Sequence, residues 1–571
     1  MYINKILMIT KNLLAFFVLL VIVSCQQKTT TPTIAIQKID HSKTWVDSIY
    51  KNMSLKEKVG QLFMVAAYSN RDAKHLLDLK KLVNKHAIGG LCFFQGGPVR
   101  QATITNELQK VSKVPMLIGI DAEWGLKMRL DSTVRFPYNM TLGAVTDNAI
   151  IQKLGKQQGD NCKRLGIHIN FAPVVDINTN AKNPIIGVRS YGEDRQLVTD
   201  KALAFVKGLE STGVLACVKH FPGHGDTHSD SHKTLPTISF TAKRIDSVEL
   251  YPFKKLFEYG VGSVMVAHLN VPSLESEEGV PSSLSRAIVT TLLQEKLNYK
   301  GLVITDALNM KGASNFKKPG DIDLAAFIAG NDILLFSEDP VKAIQLIMTA
   351  YEKGVVTEDR LAYSVKKILT SKYQVGLAGY SPIVIENLVS DLNKASNNAI
   401  YQELSLNAIT LLKNRDRNMP FDLKSVERVA YVKFGDGGNT AFLSALHKNL
   451  KVDVVLDKEI GALLMNLKKY DRVIVSYHRR NYRLTKKIPS HITEKIERIA
   501  KENTVTFVSF SSLYTVSKLS FQDIAAVIIA YENSRVFQEN AAAIIFGENK
   551  FKGRLPASIN KVFAQGNGMV E

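Results

Sequence analysis

The sequence predicts an α/β protein, a (β/α)8 TIM-like barrel followed by a smaller α/β doubly wound sandwich domain. Three observations predict it. Eight short apolar runs alternate with helical patterns between residues 60 and 375. Five more such runs follow after residue 413, again with helices between them. The chain's 571 residues also exceed what one ordinary hydrophobic core accommodates, so two domains are expected.

The first eight runs cover residues 61–67, 88–94, 116–121, 168–176, 215–221, 263–269, 302–306 and 332–336. Being apolar on both faces, they read as strands of a parallel sheet covered by helices. Segments such as 74–87 and 149–165 carry apolar residues three and four apart, the helical period. Polar residues gather where the runs end, at Asp121, Asp176, Lys219, His220, His268 and Asp306. That end of a (β/α)8 barrel is where its chemistry is built. Ser54 and Glu57 have the spacing of a capping box ahead of the first strand.

Residues 1–24 read as an export signal, with Lys5 and Lys11, an apolar stretch too short to span a bilayer, and Ser24 before Cys25. Ile22-Val-Ser-Cys25 resembles a bacterial lipobox, which implies lipidation at Cys25. An uncleaved anchor is the alternative. Either reading puts the chain on a bacterial membrane, facing the periplasm or the exterior. Residues 25–44 are polar and aperiodic and read as a flexible tether. The barrel is expected over 45–380, a helical bridge over 381–412 and the sandwich over 413–571. In the last part the strand-like runs are 429–434, 452–456, 472–476, 506–510 and 526–530.

The formal charge is +20, and removal of Lys5 and Lys11 with the signal leaves +18. The lysines are scattered along exposed helical patterns rather than gathered into an aromatic-laced stripe, so anionic wall or membrane polymers are better partners than nucleic acid. Cys92, Cys162 and Cys217 show neither a disulfide framework nor metal-type spacing, and are read as small core residues.

The segment Lys219-His-Phe-Pro-Gly-His-Gly-Asp-Thr-His-Ser-Asp-Ser-His232 carries the densest chemistry. His220, His224, His228 and His232 recur at every fourth position, which invites a metal reading. Pro222, Gly223 and Gly225 break the helix that this spacing would need, and no H-E-x-x-H motif occurs. Ser364-x-x-Lys367 and Ser558-x-x-Lys561 match S-x-x-K without visible partners. Asp230 and His232 form a better pair, since a carboxylate two positions away can fix the imidazole tautomer and leave the other nitrogen to move a proton. Asp306, directly after an apolar run, is either a reactive carboxylate or the N-cap of the next helix.

Together these segments resemble glycoside hydrolase family 3, and within it the β-N-acetylglucosaminidase, NagZ-like branch. Lys219-His-Phe-Pro-Gly-His-Gly followed by Asp230-Ser-His232 is similar to that branch's hallmark. Thr305-Asp306-Ala-Leu-Asn-Met310 is similar to the family's nucleophile motif. Gly187-Val-Arg-Ser-Tyr-Gly192 and Asp121-Ala-Glu-Trp-Gly-Leu-Lys-Met-Arg129 resemble its sugar-binding segments. The resemblance implies Asp306 as nucleophile and His232 as acid/base, polarised by Asp230. It implies that Asp121, Arg129, Arg189, Lys219 and His220 hold the sugar, and that no metal or organic cofactor is needed.

The implied activity is retaining exo-β-N-acetylglucosaminidase action on peptidoglycan fragments or related glycans, through a covalent glycosyl-aspartate. A histidine acid/base is a variant of the usual two-carboxylate scheme. Because it adds no second anion beside Asp306, phosphorolysis stays open, as does a β-glucosidase-type activity. A non-catalytic glycan-binding lipoprotein is the alternative of another class. Trp124-Gly-Leu departs from the family's pattern, where many relatives carry Gly-Gly-Arg, and puts fine substrate preference in doubt.

Overall fold

The computed structural model describes residues 41–227, 234–422, 428–456 and 459–570. Eight strands form the first sheet: β1 (Phe63–Tyr68), β2 (Gly90–Gln95), β3 (Leu117–Ile120), β4 (Ile169–Asn170), β5 (Leu215–Phe221), β6 (Ser263–Val266), β7 (Leu302–Thr305) and β8 (Leu334–Leu335). Each overlaps one of the eight apolar runs. The order is β7-β6-β5-β4-β3-β2-β1-β8, with every pairing parallel. A parallel bridge between Ile304 and Ile333 joins the two ends, so the sheet closes on itself.

These strands are almost wholly buried because helices cover them outside and side chains fill them inside. The helices Asn148–Arg164 and Arg195–Glu210 cross closely, and a Cβ at Gly155 would lie 2.2 Å from the Phe205 carbonyl oxygen. The capping box forms as read: Ser54 Oγ accepts from the Glu57 amide at 3.3 Å, and Glu57 Oε2 accepts from the Ser54 amide at 2.9 Å. Cys92, Cys162 and Cys217 are buried free thiols, and burial pushes the latter two up to about 12. Ser364 and Lys367 share a structural task, since both bind the buried Asp332 carboxylate beside β8.

The second sheet contains β9 (Thr410–Asn414), β10 (Val429–Phe434), β11 (Val452–Val454), β12 (Arg472–His478), β13 (Val505–Phe510) and β14 (Ala526–Ile529). Its order is β11-β10-β12-β13-β14-β9, parallel except that β9 runs antiparallel to β14. This corrects the expected helical stretch to Leu412. The helix Ala395–Ala408 stops earlier, and Thr410–Asn414 is a strand. Without β9 the apolar edge of β14 would be unpaired, and satisfying that edge outweighs a local helical pattern.

The barrel and the second sheet lie within one compact unit, Trp45–Glu571, and pack through specific polar contacts. Arg135 Nη1 lies 2.7 Å from Glu532 Oε2, and the amide of Tyr138 donates to Glu532 Oε1 at 2.7 Å. The Arg554 amide donates to the Ala144 carbonyl at 3.0 Å, and the Glu193 amide to that of Pro556 at 3.2 Å. Among the described residues no helix is long and apolar enough to cross a membrane.

Candidate active site

Parallel strands deliver their C-terminal ends to one rim, so residues that leave those ends converge there. Asp121 follows β3 and Asp306 follows β7. Lys219 and His220 are consecutive in β5, yet both line the same cleft. A register shift between Val218 and Phe221 allows this, because a regular strand would turn them to opposite faces. Arg189 comes from the short turn Gly187–Arg189 in the long segment after β4.

The cleft encloses about 520 Å³ and brings together Asp121, Arg129, Arg189, Lys219, His220 and Asp306. Lys219 Nζ stands 2.8 Å from Asp121 Oδ1 and 2.9 Å from Glu123 Oε1. Arg129 Nη2 binds the other Asp121 oxygen at 2.6 Å, and its guanidinium lies over the Phe94 ring at 3.8 Å. Arg189 grips Glu123 through both ends of its fork, Nε at 3.0 Å and Nη2 at 2.7 Å. Behind them, the buried Asp176 accepts from the His224 amide at 2.7 Å and pairs with His220 Nδ1 at 2.6 Å.

This network fixes charge as well as shape. Burial opposes ionisation of Asp121, yet Lys219 and Arg129 bring it down to about 2. Glu123 is held well below its ordinary range against the same burial penalty, by Arg189 and Lys219. Burial disfavours the Lys219 ammonium, but Asp121 and Glu123 overcome that and raise it. For Asp306, burial is again outweighed, here by the imidazoles of His220 and His268, and the carboxyl sits below its usual 3.8. Asp306 therefore stands ionised at neutral pH, in a cleft whose fixed donors and acceptors suit a polyhydroxylated ring.

Asp306 is not a helix cap. The next helix, Lys311–Ser314, begins after Met310, and Asp306 Oδ1 accepts from the neighbouring Ala307 amide at 2.8 Å. Among the described residues no three His, Cys, Asp or Glu side chains are grouped to hold a metal ion. His228, Asp230 and His232 lie outside the described residues, as does Cys25.

The profile of the Glycosyl hydrolase family 3 N terminal domain matches residues 54–371, more than half of the chain. The chain belongs to glycosyl hydrolase family 3. Beta-hexosaminidase A of Pseudoalteromonas piscicida is 35% identical over 369 residues, which are 59% of this chain and 61% of that protein. The family 3 chain thus spans less than two thirds of that relative's length. The Beta-N-acetylglucosaminidase/beta-glucosidase of Cellulomonas fimi is 26% identical over 408 residues, 70% of this chain and 72% of that one. In three dimensions, the family 3 beta-N-acetylglucosaminidase from Paenibacillus sp. str. FPU-7 superposes with a TM-score of 0.74 at 29% identity, covering 89% of this chain and 99% of that one.

Sequence reasoning missed three members of this family 3 site. Glu123 shares Lys219 with Asp121 and orients Arg189. Its signal was a second acid two positions after Asp121, just past the end of β3. Asp176 stood out as a strand-end carboxylate but was not assigned to the site. Arg483, on the loop after β12, lines the cleft from the second domain and lies over the Trp124 ring at 5.5 Å. Trp124 itself is buried edge-to-face against Tyr138, with centroids 4.9 Å apart.

Proposed function

We propose that the chain is a retaining exo-β-N-acetylglucosaminidase that releases terminal N-acetylglucosamine from peptidoglycan fragments or related glycans. The observation that carries the reading is the ionised Asp306 at the end of β7, in one cleft with Lys219, Arg189 and Asp121. Its relatives named for hexosaminidase and N-acetylglucosaminidase activity support the same substrate class.

Asp306 attacks the anomeric carbon, and a glycosyl–aspartate bond forms as the glycosidic bond breaks. His232, polarised by Asp230, gives its proton to the departing oxygen. Water, deprotonated by His232, then displaces Asp306 from the opposite side, and the two inversions retain configuration. Lys219, Arg129 and Arg189 offer charge-assisted donors to the sugar, Asp121 an acceptor, and His220 a ring nitrogen. Glu123 and Asp176 hold these groups from behind. We also infer export and a lipid anchor at Cys25, on the strength of the residue 1–25 pattern.

The test uses 4-nitrophenyl N-acetyl-β-glucosaminide. Asp306→Ala should cut turnover by about 10³-fold or more while the protein stays folded, and the wild type should first release the β-anomer. Near-wild-type hydrolysis by Asp306→Ala, or first release of the α-anomer, would refute the scheme. The double name of the Cellulomonas fimi relative favours a second reading, dual action on glucosides. Assay of 4-nitrophenyl β-glucoside decides between them.

A further inference from the structure

Among the described residues, Arg483 is the cleft residue that the barrel does not supply. It is exposed at the mouth, and among the described residues it has no hydrogen bond or ion pair. The deeper cations are committed, Lys219 and Arg189 to Glu123, and Arg129 to Asp121. Its loop reads Arg479-Arg-Asn-Tyr-Arg-Leu-Thr-Lys-Lys487, five cations with no acid among them. The loop overlies the turn that carries Arg189, because a Cβ on Gly187 would meet Thr485 Cγ2 at 3.9 Å. Lys182 and Lys518 add to the same field. Partial burial first, and then these two like charges, lower the Lys487 ammonium from its ordinary range.

We infer that Arg483 is a specificity-determining residue that receives a carboxylate on the leaving-group side of the glycan. The inference rests on the glycosidase reading of the cleft. A terminal sugar occupies the deep, paired groups, so whatever hangs from its glycosidic oxygen emerges past the mouth. There the Arg483 guanidinium carbon lies 5.5 Å from the centre of the Trp124 ring, and among the described residues no acceptor or acid takes up its fork. That fork matches a carboxylate in plane and spacing, whereas a neutral leaving group offers it no counter-charge. The surrounding lysines and arginines draw anionic glycans towards the rim.

Two disaccharides that differ in one group test this: N-acetylglucosamine β-linked to an amino sugar bearing a carboxyalkyl ether, and its methyl ester. The readout is the acid-to-ester ratio of kcat/KM, which cancels any general loss in a variant. Wild type should prefer the acid by about three- to tenfold, and added salt should shrink that preference. Arg483→Ala should bring the ratio near parity, and Arg483→Lys should keep part of it. A wild-type ratio of one, or a preference that survives Arg483→Ala, would overturn the assignment. Wild-type turnover of 4-nitrophenyl N-acetyl-β-glucosaminide separates the two ideas. If that neutral substrate is cut while the ratio is one, only the role of Arg483 falls. If neither it nor the disaccharides are cut, the glycosidase reading falls.

Discussion

Asp176 Oδ2 holds His220 Nδ1 at 2.6 Å, and the opposite ring nitrogen faces Arg189 Nη2 at 3.3 Å. An arginine can only donate, so His220 Nε2 is the acceptor there and Nδ1 carries the hydrogen given to Asp176. One buried carboxylate thereby sets the tautomer of a cleft imidazole.

Asp176→Asn should break that setting. Both Asp176 oxygens accept, Oδ1 from the His224 amide and Oδ2 from His220, whereas an amide has one acceptor and two donors. A donor would face a donor whichever way the amide turned. The expected loss in kcat/KM is about 10- to 100-fold, with the fold retained by circular dichroism.

Lys219→Met should cost stability as well as activity. The buried ammonium bridges Asp121 and Glu123, and its removal leaves two carboxylates facing each other. The expected loss is about 3–5 kcal/mol in urea unfolding. The acid limb should move too. Asp121 is depressed from 3.8 to about 2 on folding, so its contribution is complete above pH 3.8 and is lost as pH falls through about 2. In Lys219→Met that loss should begin at higher pH, as acid titrations of both proteins will record.

Glu532→Ala tests the docking of the two domains. Glu532 is almost wholly buried and answers the Arg135 guanidinium, the Tyr138 amide and the Thr141 hydroxyl together. Its loss strands a largely buried cation, at a cost of about 3–5 kcal/mol. Calorimetry should show the barrel and the second domain melting separately, where the wild type melts as one.

Cys25→Ala tests the proposed lipid anchor and should abolish fatty-acid attachment. Cells fed labelled fatty acid should label the wild type and not the variant, and the variant should leave the membrane fraction.

The barrel was legible because its strands are buried on both faces, which leaves apolar runs such as 302–304, closed by Thr305 and Asp306. The mouth was legible because charged residues are costly in such runs and mark their ends, as at Asp121, Lys219 and Asp306. β9 was not legible, since residues 409–412 continue a helical pattern and only the distant edge of β14 recruits them. Arg483 was not legible either. Its cleft position depends on how the second domain docks, and nothing local to its basic loop points to Trp124. The Asp230–His232 pair was read from sequence and lies outside the described residues.

Glu532 and Arg483 reach the barrel from far downstream of β8. A ribosome that has delivered the entire barrel has therefore not yet delivered a finished pocket. Until the second sheet folds against it, Arg135 lacks its counter-ion and the wall above Trp124 is missing. Synthesis order thus delays assembly of the working pocket, and a chain threaded unfolded through an export channel would complete it only on the far side.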